Sequence, residues 1–166
     1  VRKKRTSQKS ALLEDCVDTL RLLNFNDFTY PEFCRLPELP ERYVIRNYPH
    51  GSIYGTRGKK EALIVVHGLC PPFVQDGDGW TRIVIEAKWQ EVSGSVDEKI
   101  PFVWASSLES HIPNWILLMD GHHWRVGRGK AVVQWAQRQS ASEGRTWHAM
   151  NRRDFLLSAK EWWGGP

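Results

Sequence analysis

Apolar positions recur first at helical spacing and then in alternation, and that change orders the chain. Leu12, Leu13, Cys16, Val17, Leu20 and Leu23 form one stripe of a helix, with Ser10 as its expected cap, Glu14 near its first turn and its end near Asn24. The segment FNDFTYPEFCRLPELP, with three prolines, reads as an ordered connector packed on the core. Arg42 to Tyr48 reads as a strand stopped by Pro49, and EALIVVHG, from Glu61, as a second. After the turn LCPPFVQDGDG a third strand carries Ile83, Ile85 and Ala87 on one face and Val84, Glu86 and Lys88 on the other.

Ser95 with Glu98 has the spacing of a capping box, and Val96, Ile100, Val103, Trp104 and Leu108 line one face of the helix that follows. Pro101 inside it predicts a kink or an early irregular turn. Then come a strand NWILLMDG ending at Asp120, a polar loop GHHWRVGRG, a helix with Ala131, Val132, Trp135 and Ala136 inward, a short strand RTWHAM, and a last helix capped by Asn151. This order predicts an α/β, three-layer sandwich around a central mixed β-sheet, with an αβββαβ core and a C-terminal helix-strand-helix extension.

Composition narrows the class. The 166 residues suit one domain, 11–166, preceded by a basic arm, 1–10, that is either a solvated tail or lies along a nucleic-acid backbone. Hydrophobic residues at 41% against 25% charged exclude a disordered chain. The net charge of +4 is compatible with an anionic partner but decides little alone. Cys16, Cys34 and Cys70 form no CxxC pair and read as reduced thiols. With no membrane-length apolar run and no signal-peptide core after VRKKR, a soluble cytoplasmic protein is expected.

Glu86 and Lys88 side by side at the end of an apolar strand are costly to desolvate and ask for a reason. One reason is a surface salt bridge. Another is a site for a divalent cation and a phosphate. If the second and third strands form a hairpin with His67 opposite about Thr81, Glu61 lies opposite Glu86 or Ala87. Asp76 and Asp78 then sit in the turn, roughly 17–20 Å away at about 3.4 Å per residue. Glu61 is therefore the preferred second acid. The loop HGSIYGTRGKK supplies Arg57, Lys59 and Lys60 and is either a flexible hairpin loop or a close approach to a nucleic-acid backbone. His122 and His123, with His67 or His148, lack the spacing of a zinc site. No nucleophile elbow, P-loop or dinucleotide fingerprint is present, so no nucleotide cofactor is expected.

The element order, the acid at the start of the second strand and the E-x-K at the end of the third resemble the PD-(D/E)XK nuclease superfamily, the restriction-endonuclease-like fold. IEAKWQ, Ile85 to Gln90, followed by GSVDEKIP, Gly94 to Pro101, looks like members with an ExKWQ strand end and a G-S/T-x-x-E-K-I-P helix. Glutamate stands at position 61 where the family usually has aspartate, and no Pro-Asp pair precedes it. The resemblance implies metal-dependent hydrolysis of DNA phosphodiester bonds, by a restriction-like or a recombination and repair endonuclease. Glu61, Glu86 and the Ala87 carbonyl would hold Mg²⁺, or Mn²⁺, and Lys88 would orient or deprotonate the nucleophile. Gln90 either bonds that water or Lys88, or is a polar strand end; Ser95 and Lys99 either touch a phosphate, or cap and solvate a helix. DNA and a second copy of the chain, as a homodimer, are the expected partners. The rival reading is a nucleic-acid-binding module, or a subunit of a larger assembly, that keeps the fold without the chemistry.

Overall fold

The apolar runs become strands and the 3.6-residue stripes become helices. The computed structural model describes residues 8–51, 62–68 and 72–164. In chain order these form α1 (Gln8–Leu22), β1 (Asn26–Thr29), α2 (Tyr30–Phe33), β2 (Arg42–Arg46), β3 (Ala62–His67), β4 (Trp80–Trp89), α3 (Lys99–Glu109), β5 (Asn114–Asp120), α4 (Gly127–Arg138), β6 (Thr146–Met150) and α5 (Arg152–Trp163). Single 3-10 turns, Ser95–Glu98 and His122–Arg125, lead into α3 and α4.

The strands form one mixed six-stranded sheet in the order β1-β2-β3-β4-β5-β6. The β2–β3 and β3–β4 pairs are antiparallel, and the other three are parallel. Alternation along the strands divides the core. Ile64, Ile83, Ile85 and Ala87 face α1 and α5 through Leu12, Cys16, Leu20, Phe155 and Trp163. Val84, Trp115 and Leu117 face the other layer through Ile100, Val103 and Ala136. All seven residues of β5 are buried, as expected of a strand covered on both faces. The α/β sandwich with helices on both sides is thus the fold.

Three local expectations change, and the early irregular turn expected near Pro101 is present. The connector after α1 contains β1, which adds in parallel to β2 through Asn26↔Tyr43 to Thr29↔Arg46. Four residues are too few to show a period, so pairing rather than pattern makes this strand. Ser10 lies inside α1 instead of capping it. Ser95 is not a cap either: Gly94 holds that position and Ser95 begins the 3-10 turn. Pro101 is the third residue of α3, where the missing N–H had no intrahelical partner to lose, so the irregular turn precedes it. The expected cap at Asn151 does form, its side chain accepting from Asp154 N at 2.8 Å.

The β3–β4 register pairs His67 with Trp80 and Ala62 with Ile85, one residue from the expected His67–Thr81 match. Of the expected arm, Gln8 to Ser10 are helical and residues 1–7 lie outside the described residues. So do Arg57, Lys59, Lys60, Glu61 and Cys70. Among the described residues no helix is long and apolar enough to cross a membrane.

Candidate functional site

Glu86 and Lys88 sit near the C-terminal end of β4, on the face that Val84 shares with α3 and α4. Lys88 Nζ is 2.7 Å from Glu86 Oε1, with the two side chains 16% and 11% exposed. Their register partners in β5, Met119 and Leu117, are buried. An ion pair on an apolar sheet, largely out of water, differs from a solvated surface bridge, because each charge depends on its partner for stabilisation.

The oxygens present suit a hard cation. Glu86 gives one carboxylate oxygen to Lys88, and its second is not committed among the described residues. Ala87 next to it supplies a strand carbonyl while its methyl is buried against the α1 and α5 layer. Among the described residues no three His, Cys, Asp or Glu side chains gather as a metal-binding group, and the expected second acid, Glu61, lies outside them.

Beyond β4 the chain is held by a clamp on Gln90. Its N–H donates to Asp120 O and its carbonyl accepts from His123 N, both at 3.1 Å. Its side-chain amide nitrogen donates to Val92 O at 2.5 Å, which orders the turn after β4. Gly121, at φ +112°, makes the close crossing feasible: a Cβ there would lie 2.3 Å from Gln90 O. Below the clamp His123 Nε2 and Asp97 Oδ1 are 2.6 Å apart and both side chains are buried. Arg128 Nε reaches the other oxygen of Asp97 at 3.0 Å. Asp120, at the end of β5, accepts from Gly121 N and from an Arg125 guanidinium nitrogen, each at 2.8 Å.

Spacing and periodicity carry no signal that brings Asp97, His123, Asp120 and Arg125 together beside the end of β4. Asp97 sits in a turn that reads as a helix start, and the adjacent histidines read only as a failed zinc pattern. Lys99 is exposed at the first residue of α3. Ser95 contributes its backbone to the 3-10 turn, and its side chain lies outside what is described. Glu14 turns to Arg46, pairing with both guanidinium nitrogens on the α1 side of the sheet. Trp89 is half-buried and packs against the α1 and α5 core. Asp76 and Asp78 pair with Arg82 in and near the hairpin turn, at the opposite end of β4.

A family model described as PD-(D/E)XK nuclease superfamily domain matches residues 7–163. No curated protein and no solved structure matches the chain. Nucleases of that description generally use divalent metals and act on nucleic acid.

Proposed function

The chain belongs to the PD-(D/E)XK nuclease superfamily, and from that premise we propose that it hydrolyses phosphodiester bonds in DNA as a metal-dependent endonuclease. The observation that carries this reading is the Glu86–Lys88 pair, 2.7 Å apart and largely buried on an apolar sheet face. A carboxylate and an ammonium in that setting are poised for a phosphate and its counter-cation, since either charge is satisfied anew when the substrate enters.

In this reading residues 11–166 act as the nuclease domain. The β3–β4 register ends at Ala62↔Ile85 among the described residues, and continuing its constant sum by one step would set Glu61 opposite Glu86. Glu61, Glu86 and the Ala87 carbonyl would hold Mg²⁺, with Mn²⁺ as a substitute. Bound there, the ion would polarise the scissile phosphate and acidify a coordinated water. Lys88 then leaves Glu86 for the substrate. Its ammonium orients the attacking water and offsets the negative charge that builds on the phosphate oxygens. Gln90 supports this end of β4 through the turn it holds. Arg57, Lys59, Lys60, Ser95 and Lys99 contact the DNA backbone and set its salt-dependent affinity. A homodimer supplies the second site that a double-strand cut needs.

Cleavage of supercoiled plasmid and of linear and branched oligonucleotides, in Mg²⁺, Mn²⁺ or EDTA, tests the proposal with native protein and Lys88→Ala. Metal-dependent cutting that disappears in Lys88→Ala supports it, and the preferred substrate separates restriction from repair. DNA binding without cutting in either metal sinks it and leaves a binding module.

A further inference from the structure

A cavity of about 310 Å³ opens at the C-terminal ends of β5 and β6, with Met119, Asp120, Trp124, Arg125, Gln137 and Arg153 in its wall. Neither Glu86 nor Lys88 lines it, yet it begins beside them. Met119 is the register partner of Lys88 and Asp120 that of Trp89, so one inter-strand step, about 4.8 Å, separates the ion pair from the cavity wall.

The wall selects a class of occupant. Met119 and Trp124 are buried and make one side apolar. The polar atoms include the Asp120 carboxylate, whose Oδ1 is committed to Gly121 N and Arg125 while Oδ2, among the described residues, has only a long 3.4 Å contact from Arg152 N. Among the described residues Gln137 makes only a 3.5 Å contact to Ala149 O through its amide nitrogen. The Oδ2 of that Asp120 carboxylate, whose Oδ1 is paired with Arg125, is an acceptor and cannot hydrogen-bond a phosphate oxygen. It accepts from the N–H edge of an uncharged planar ring, and the Gln137 amide can read a second group on the same edge. At the solvent side of the wall, Arg125 is 68% exposed and Arg153 is also exposed, with guanidinium groups suited to backbone phosphates.

We propose that this cavity receives one unstacked nucleobase of the DNA substrate, with Arg125 and Arg153 holding the flanking phosphates. The inference rests on the nuclease reading and extends it to a substrate class. Its volume lies at the lower end of ligand-pocket sizes, about 300–1,000 Å³, which suits a single base. Extruding a paired base costs more than admitting an unpaired one, so the site favours single-stranded, mismatched or branched DNA.

The test uses the full chain in EDTA with a single-stranded 20-mer carrying 5-iodouracil at every thymine. After irradiation the cross-link is expected on the tryptic peptide that ends at Arg125 and contains Met119 and Trp124. Val133→Phe on the cavity wall and Gln137→Phe at an exposed wall position should each lower that yield at least fivefold with the native circular dichroism retained. Total strand binding should fall less than threefold. Cross-links confined to other peptides, or a yield unchanged in either folded variant, overturn the proposal. Native protein that cuts DNA with Mg²⁺ but gives no cross-link there overturns the base site and leaves the nuclease. Native protein that neither binds the strand nor cuts overturns both.

Discussion

His123 Nε2 stands 2.6 Å from Asp97 Oδ1 across 26 residues of sequence, with both side chains buried. The contact joins the 3-10 turn after β4 to the 3-10 turn after β5, and Arg128 at the start of α4 closes on the second oxygen of Asp97. Three segments thereby share one carboxylate beside the end of the strand that carries Glu86 and Lys88. Asp97→Ala leaves the buried imidazole without its acceptor, and an unsatisfied buried polar group costs about 1–3 kcal/mol. Urea unfolding should register a loss of that order, and Asp97→Asn, which keeps one acceptor oxygen, a smaller one.

Gly121 and Gly129 are sites where a methyl group has nowhere to go. A Cβ at Gly121 would lie 2.3 Å from Gln90 O at a φ of +112°, and one at Gly129 would lie 1.9 Å from His123 O. Both obstacles are backbone carbonyls in the clamp, so they cannot rotate aside. Alanine at either position should destabilise by roughly 1–3 kcal/mol or more. Gly77→Ala, with nothing within 4 Å of the added carbon among the described residues, should change stability by less than about 0.5 kcal/mol. A loss at Gly77 equal to that at Gly121 would refute the steric argument.

Glu86→Gln keeps the shape of the side chain and removes its charge. Cleavage should fall about 10²- to 10³-fold, the scale of losing one positioned electrostatic group, while DNA affinity in EDTA falls little. Thermal unfolding supplies an independent readout: millimolar Mg²⁺ should raise the midpoint of the native protein and not that of Glu86→Gln. Equal shifts in the two proteins would remove Glu86 from the metal site.

Asp27 offers a pH dependence. Burial pushes its carboxyl up, but the hydrogen bond and charge of Arg46, with those of Arg21, outweigh this and hold it below the usual carboxylate range. A folded pKa below the unfolded one gives stability that is fully present above the unfolded value, about 3.9, and lost as pH falls through the folded value. Asp27→Asn should therefore be less stable than the native protein at neutral pH, and the gap should close below about pH 4. A gap that stays constant from pH 7 to pH 3 would show that the ion pairs contribute nothing.

Much of the architecture was legible because it is local. The α1 stripe is buried from Leu12 to Leu20, Asn151 caps α5, and the strands at Ala62, Trp80, Asn114 and Thr146 lie where apolar runs lie. The Glu86–Lys88 pairing was legible for the same reason, since residues two apart on a strand share a face. The clamp was not. Gln90, Gly121 and His123 meet only because β4 and β5 run parallel, and a chain crossing of 31 or 33 residues has no signature in spacing.

By itself the sequence determined the helices, the principal strands and the common face of Glu86 and Lys88, because periodicity and capping act over a few residues. Only the tertiary structure decided the added edge strand β1, the one-residue shift of the β3–β4 register, the buried Asp97–His123 contact and the cavity beside Met119. Each of these depends on which distant segments are brought together. That choice is made by burying apolar surface on both faces of the sheet, a property of the folded chain as a whole and not of any window within it.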